Sequence, residues 1–322
     1  MKILVTGGSG FIGTHLVEAL TRDHHAVQIY DKATSSKYPH LVRLGDVRNG
    51  EDLAQAVAGQ ELFFHLAAEH RDDVWPLSLY TEVNVHGAEK LVEAAKKAGC
   101  KRVVFLSSVA VYPLNAGCPD ETSAPAPFNP YGASKLAAEA VFQKWAEEDP
   151  QASILIVRPC VIFGENNRGN VYNFLKQFST GRFLMVGNGQ NRKSLAYVGN
   201  LVSFLLAKLQ ASPGLHLYNY ADKPDLSTNE LIRIAQESFG SSGGISRMRV
   251  PYLIGLAAGY WFDLVAAVTD RKLPISSIRI KKFCAETTVS TAKLEREGFK
   301  RPYSLEEGLR RMIVSEFKND NQ

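Results

Sequence analysis

Residues 3–13 read ILVTGGSGFIG, a short apolar run that breaks into Gly7, Gly10 and Gly13 and then resumes. A strand running into a helix through such a turn needs glycine at each place for a separate reason. Gly7 permits the tight turn, Gly10 lets backbone approach a pyrophosphate, and Gly13 lets helix and strand pack closely. The helix that starts at Phe11, Ile12 and Gly13 would present unpaired N–H groups and a partial positive charge to that anion. The spacing predicts a dinucleotide site at the start of the chain.

Outward from this turn, short apolar strands alternate with helical patterns. Candidate strands are Ile3–Thr6, Ala26–Tyr30, Leu41–Leu44, Leu62–Ala67, Val103–Ser107 and Ile154–Arg158, and helical periodicity covers Gly10–Asp23, Glu51–Ala58 and Asn84–Ala98. Alternation of this kind predicts βαβ units, and so an α/β fold with a doubly wound parallel sheet. After Gly164 the pattern changes, with helices expected near Val171–Phe178 and Gly199–Leu209 and a strand at His216–Tyr220. Ser227 or Thr228 is placed to cap a helix over Glu230–Phe239, and SSGG at 241–244 reads as a flexible turn. The expected division is a dinucleotide-binding domain over 1–164, with 193–220 returning to it. A smaller, mostly helical substrate domain would comprise 165–192 and 221–322.

The second strand ends at Tyr30–Asp31, about where an acid grips the adenosine ribose. A carboxylate there accepts hydrogen bonds from ribose hydroxyls and repels a 2′-phosphate, so Asp31 favours NAD over NADP; Lys32 beside it would soften that preference. Opening a turn is the alternative role for Asp31. Further along, NPYGASK at 129–135 sets Tyr131 and Lys135 one helical turn apart on one face. A cation near a phenol lowers its pKa from about 10, which makes a usable acid/base for removing an alcohol proton. The strand VVFLSS ends in Ser107 and Ser108, where a hydroxyl can hold the reacting oxygen.

Composition narrows the partners. The chain has 322 residues, 45% hydrophobic and 22% charged, with a formal net charge of +4 and no basic block, which argues against nucleic acid. Cys100, Cys118, Cys160 and Cys284 lie far apart without metal-ligand spacing, so no metal site is expected and the cysteines read as reduced, in a cytoplasmic protein. The N-terminal MKILVTGG reads as a strand start and not a signal peptide. Residues 251–268, PYLIGLAAGYWFDLVAAV, are rich in apolar and small side chains, yet Asp263 and two glycines interrupt them and DRK follows at 270–272. That falls short of an integral span of ~20 residues. A buried or partner-facing helix is expected, with peripheral membrane contact left open.

Together, TGGSGFIG (6–13), Asp31, GDV (45–47), HLAA (65–68), NVHG (84–87), SSVAVY (107–112), YGASK (131–135) and RPCVIFG (158–164) resemble one family. It is the extended short-chain dehydrogenase/reductases, and within them the NAD-dependent nucleotide-sugar epimerases and dehydratases. NRKSLAYVGN (191–200) and, more loosely, GFKRPYSLEEGL (298–309) extend the resemblance over nearly the whole chain. It implies a Rossmann fold with NAD as cofactor and a nucleotide-diphosphate sugar, a UDP-sugar foremost, as substrate. Ser108, Tyr131 and Lys135 would be the catalytic residues. Asp46 and Val47 would sit beside the adenine, and Leu66, Ala67 and Ala68 would line the cofactor groove with Ser107. Asn84 would hold the catalytic helix, and backbone at Cys160 and Val161 would approach the nicotinamide. Asn170, Val186 within 184–187, and Arg192 would hold the nucleoside diphosphate, with Arg279 as a further candidate or an exposed solubilising charge. The family often carries Asp after the matched arginine, where this chain has Lys193. A homodimer through the two helices beside the sheet is also implied.

The resemblance orders the possible reactions. Sugar dehydratases carry Asp-Glu after the catalytic Thr, and Val109 and Ala110 stand here instead, so dehydration lacks its acid and base. A 4-epimerase that retains NAD and uses Tyr131 as acid/base is the first expectation. The alternatives are a 4-ketoreductase and, from the apolar stretch 251–268, a sterol-type dehydrogenase. His65 reads as a packed strand residue and Cys160 as cofactor-side packing. The charged run Glu69, His70, Arg71, Asp72, Asp73 either reads the sugar or is solvated loop.

Overall fold

Apolar runs with no polar face must be covered on both sides, and a seven-stranded parallel sheet meets that demand. The computed structural model describes residues 1–71, 74–181, 183–240, 249–269 and 276–318. Strands β1 (Lys2–Thr6), β2 (Ala26–Asp31), β3 (Val42–Leu44), β4 (Leu62–His65), β5 (Arg102–Leu106), β6 (Ser153–Pro159) and β10 (Gly214–Tyr220) lie in the order β10-β6-β5-β4-β1-β2-β3. The order reverses between β1 and β4, and the crevice outside that point is where open α/β sheets bind ligands. Within β1 alternate residues part to opposite faces. Ile3 and Val5 join one core with Leu16, Leu20 and Ile29, and Leu4 joins the other with Phe63, Phe105, Phe142 and Trp145.

Helices α1 (Phe11–Arg22), α2 (Gly50–Val57), α4 (Gly87–Ala98) and α5 (Pro130–Glu148) cover the sheet. Where sequence periodicity starts a helix at Asn84, the chain instead passes from a short turn, α3 (Ser78–Tyr80), through a π-helical turn over Thr81–His86 into α4. In α5, Asn129 caps the helix by accepting from the Gly132 N–H at 2.8 Å, and Pro130 opens it.

The second half carries two small sheets. β7 (Val161–Phe163) pairs parallel to β9 (Arg192–Tyr197), which pairs antiparallel to β11 (Asp222–Ser227). β8 (Met185–Val186) pairs with β12 (Arg249–Val250). Of the stretch 193–220, α7 (Val198–Ala207) packs against α1 and β10 extends the large sheet, while β9 stays in the small one. Around them stand α6 (Asn170–Ser179), α8 (Thr228–Phe239), α9 (Tyr252–Thr269), α10 (Ser277–Cys284), α11 (Ala292–Arg296) and α12 (Leu305–Phe317). Ser227 is the cap of α8, in a reciprocal box with Glu230. Leu175, Phe178, Ile234 and Leu309 share a core with Ile3 and Val5, so the two halves are packed as one body. The turn expected at 241–244, Asp72, Asp73 and the charged 270–272 lie outside the described residues.

Helix α9 packs by its glycine face. A Cβ added to Gly255 would lie 2.6 Å from Val186 Cγ1, and one added to Gly259 would lie 2.8 Å from the Ser277 Cα at the start of α10. Its other face holds Leu253, Ile254, Trp261, Leu264 and Val268, all exposed. Among the described residues no helix is long and apolar enough to cross a membrane.

Candidate active site

The glycine turn forms the cradle its spacing predicts. Gly7 adopts φ +74°, and an added Cβ there would meet the Ala67 nitrogen at 2.6 Å. At Gly13 it would meet the Gly7 carbonyl at 2.5 Å, whereas at Gly10 the nearest atom is 3.3 Å away. Gly10 is the N-cap of α1, so the first-turn N–H groups at Phe11, Ile12 and Gly13 have no partner within their own helix. Leu66, Ala67 and Ala68 follow β4 as the partly exposed wall opposite. At the end of β2, Asp31 accepts from the Ser9 N–H at 3.0 Å and from the Ala33 N–H at 3.1 Å, with Lys32 exposed beside it. Asp31 thus pins the turn, with its carboxylate beside the glycine turn at Ser9. An adenosine ribose and pyrophosphate fit this donor set. Asp31→Asn is expected to narrow the preference for NAD over NADP about tenfold or more, since charged hydrogen bonds contribute ~1.5–3 kcal/mol. Parallel NAD and NADP titrations check it, and an unchanged ratio would remove Asp31 from cofactor selection.

Asp46 pairs with Arg48 at 2.8 Å, which holds its carboxyl below the usual range, and Val47 beside it is buried. Cys160 is buried, its thiol pushed well up by burial, and Val161 is exposed next to it. His65 is fully buried, with Nδ1 2.8 Å from Thr6 Oγ1, and burial takes its pKa down to about 3. It is a packing residue.

Ser108 and Tyr131 meet from two elements, and Lys135 stands one turn further along the second. Ser108 lies just past the end of β5 and caps a 3-10 turn over Val109–Val111, accepting from the Ala110 N–H at 3.1 Å. Burial pushes the Tyr131 phenol up to about 12, and the neighbouring Ser108 hydroxyl opposes the rise. Lys135, one turn along α5, is buried with Nζ 4.2 Å from the Phe105 ring centroid, and burial brings it down to about 7 against the pull of Glu139. The sequence led us to expect the lysine to lower the phenol's pKa. Burial instead sets the direction for the phenol, and the group that opposes it is Ser108.

Two residues hold this geometry. Asn84, buried in the π-helical turn, accepts from the Glu69 N–H at 2.8 Å and donates to the Glu69 carbonyl at 2.9 Å and to Ser134 Oγ at 2.9 Å. Ser134 in turn donates to the Tyr131 carbonyl at 2.8 Å. The second is Gly132, absent from the sequence-based candidates. A Cβ there would lie 2.1 Å from the Ala110 carbonyl oxygen, so only glycine lets α5 press against the Ser108 turn. Its place beside Tyr131 was the available signal. Gly132→Ala is expected to cut turnover about 10²-fold, the scale of a ~1 Å misplacement, with the melting temperature read alongside. Unchanged turnover in a folded variant would show that this contact does not set the geometry.

Ser107 lies deeper than the groove, buried and donating to Glu139 Oε1 at 2.5 Å. The expected diphosphate residues do not all gather. A cleft of about 820 Å³ is lined by Val186, Gly187, Asn191, Arg249, Tyr252, Lys281 and Cys284 among others. Asn170 is exposed at the start of α6, and Arg279 is exposed on α10; neither lines the cleft. Arg192 turns outward to the Asp225 carbonyl at 2.8 Å. Lys193, its neighbour on β9, points the other way, donating to the carbonyls of Lys282 and Ala285 at 3.1 Å each, behind the cleft wall. Burial brings its ammonium down to about 8. Strand alternation was the signal that separates the two cations. Of the charged run, Glu69 is held by Asn84, and Arg71 lies 3.6 Å from Glu69. Among the described residues no group of His, Cys, Asp or Glu is placed to hold a metal ion.

Comparison with known proteins agrees with this geometry. A model of the NAD dependent epimerase/dehydratase family matches residues 3–221. A protein of Escherichia coli O157:H7, N-acetyl-alpha-D-glucosaminyl-diphospho-ditrans,octacis-undecaprenol 4-epimerase, is 47% identical over 98% of this chain and 95% of its own. The UDP-glucose 4-epimerase of Vibrio cholerae is 31% identical over 72% of this chain and 74% of its own. In fold, the UDP-glucose 4-epimerase of Thermotoga maritima superposes with a TM-score of 0.79 at 23% identity, covering 100% of both chains. The glycine turn with Asp31 beside it, and Ser108, Tyr131 and Lys135, thus stand in a chain that belongs to the NAD-dependent epimerase/dehydratase family, an enzyme of the extended short-chain dehydrogenase/reductase type with NAD as its cofactor.

Proposed function

We propose that this protein is a 4-epimerase of a sugar carried on a diphosphate, acting by transient oxidation at C4. The observation that carries the reading is that the Ser108 hydroxyl and the Tyr131 phenol meet from two elements closely enough for the one to hold down the pKa of the other, with Lys135 one helical turn along α5. NAD supplies the hydride acceptor, and its positive ring favours phenolate where burial alone disfavours it. Ser108 holds the C4 oxygen. Tyr131 takes the hydroxyl proton as the 4-keto sugar forms and returns it after the sugar has presented its other face. Lys135, one turn along α5, would hold ribose hydroxyls of the cofactor. Val109 and Ala110, beside Ser108, offer no acid or base for eliminating water.

Two carriers have support. A nucleoside, as in a UDP-sugar, is what the Vibrio cholerae relative's name describes. A polyprenyl lipid is what the more similar Escherichia coli relative's name describes, over nearly the whole chain. We favour the lipid, because the cleft that would take the diphosphate is walled by Pro251 and Tyr252, where the apolar helix α9 begins. Arg249 and Lys281 in the same wall, with Lys193 behind it, suit the diphosphate's charge.

The test gives purified protein UDP-glucose, UDP-N-acetylglucosamine and detergent-solubilised N-acetylglucosaminyl-diphospho-undecaprenol, without added cofactor, and reads products by NMR. Interconversion of C4 epimers is expected, fastest on the lipid-linked sugar. Turnover that requires stoichiometric added NADH or NADPH would replace the reading with a ketoreductase. No C4 inversion on any of the three would overturn it.

A further inference from the structure

We propose that helix α9 is an interfacial helix that lays this enzyme on an anionic phospholipid bilayer, with the cleft opening at headgroup level. Its apolar residues are not scattered. At 100° per residue, Leu253, Tyr260, Leu264, Val268, Trp261 and Ile254 fall within one stripe roughly 120° wide. Their exposures run from 52% at Tyr260 to 78% at Val268, for side chains that are rarely so uncovered together. The opposite face is closed by the glycine contacts with Val186 and α10, and Asp263 there accepts from the Ser277 N–H at 3.1 Å. Helix α9 is therefore seated on its own protein by one side, and among the described residues its other side is uncovered.

What covers that side is argued from its chemistry. Trp261 and Tyr260 are the residue types that sit at a membrane–water boundary, and Leu253, Leu264 and Val268 supply the apolar insertion. A cation borders the stripe, for Lys281 donates to the Tyr260 hydroxyl at 2.8 Å; Arg279 and Lys282, the latter over the Phe128 ring, make the same helix α10 basic. In α9 and α10 together, Asp263 is the one acid, and its carboxylate lies on the packed face. An apolar stripe beside basic side chains complements anionic lipid headgroups. A second copy of this chain would bring the same cations onto one another. The helix falls short of a membrane span, so the enzyme would lie on the bilayer and not cross it.

The inference deepens the lipid-carrier reading and rests on it for its purpose, since a sugar on a polyprenyl anchor is found at a bilayer surface. Its test is independent of turnover. The full chain is sedimented with phosphatidylcholine vesicles and with phosphatidylglycerol-containing vesicles, at low and high salt. Binding is expected to the anionic vesicles, weakening with salt. Leu253→Glu together with Leu264→Glu is expected to reduce partitioning about tenfold or more, because two apolar side chains that would be buried in the bilayer are replaced by carboxylates that an anionic surface repels. The double variant should keep its melting temperature and its bound NAD. A folded wild-type chain that stays in the supernatant with anionic vesicles overturns the proposal. So does a double variant that binds as well as the wild type. Loss of a dimer in the variant, with no vesicle binding by the wild type, would assign the stripe to self-association instead. If vesicle binding holds and every sugar substrate fails, the functional reading falls and the membrane surface remains.

Discussion

Tyr131→Phe is expected to lower kcat by about 10²- to 10⁴-fold, the usual contribution of one positioned acid/base. The substitution removes one oxygen and keeps the ring, so α5, its Asn129 cap and the Gly132 contact with Ala110 stay in place. Bound NAD and melting temperature should therefore change little, and KM should move less than kcat. Steady-state kinetics with NAD content measured on the same preparation separates these quantities. Turnover within a few-fold of the parent would mean that another group moves the proton. The Ser108 hydroxyl, the phenol's neighbour, would then be the first to examine.

Glu139→Ala should produce the largest loss of stability. Glu139 is wholly buried and pairs with Arg158 through two bonds, Oε2 to Nη2 at 2.6 Å and Oε1 to Nε at 2.9 Å. Arg158 also donates to the Tyr112 hydroxyl at 2.7 Å, and that hydroxyl donates to Asn219 Oδ1 at 3.0 Å on β10. Removing the acid leaves a buried guanidinium uncompensated, which costs about 3–5 kcal/mol. Urea unfolding would measure the loss. Glu139→Leu combined with Arg158→Met should recover much of it, because an apolar pair need not be neutralised. A single variant with a loss below about 1 kcal/mol would mean that water reaches Arg158, in contrast to the dry pair that the geometry describes. Because Glu139 also holds up the pKa of Lys135, the same variant should lose turnover at neutral pH.

The parts of the molecule legible from sequence are those where one physical demand dominates. β1, β4, β5 and β6 are covered on both faces, and their unbroken apolar runs stand out within a residue or two of the observed ends. The glycine turn is legible because each glycine answers a separate steric need. The small sheet of β7, β9 and β11 was not, since RKSLAY and DKPDLS are short and polar and are held by partners distant in sequence. The same limit turned attention to Arg192 where Lys193 faces the cleft wall, for one residue of register exchanges the two faces of a strand. The charge state of the Tyr131–Lys135 pair was beyond reach as well, because desolvation depends on what buries it and not on spacing.

Asn84 ties the Glu69 backbone to α5 by three bonds, so under the proposed function that wall of the site is coupled to Tyr131. A new sugar cannot be accommodated by reshaping that side without disturbing the chemistry. Tolerance for change is therefore concentrated on the far bank, where β8, β12 and the start of α9 meet. Directed-evolution libraries aimed at altered carrier or sugar choice should draw their winners from residues 185–191 and 249–252, leaving the block around Asn84 untouched.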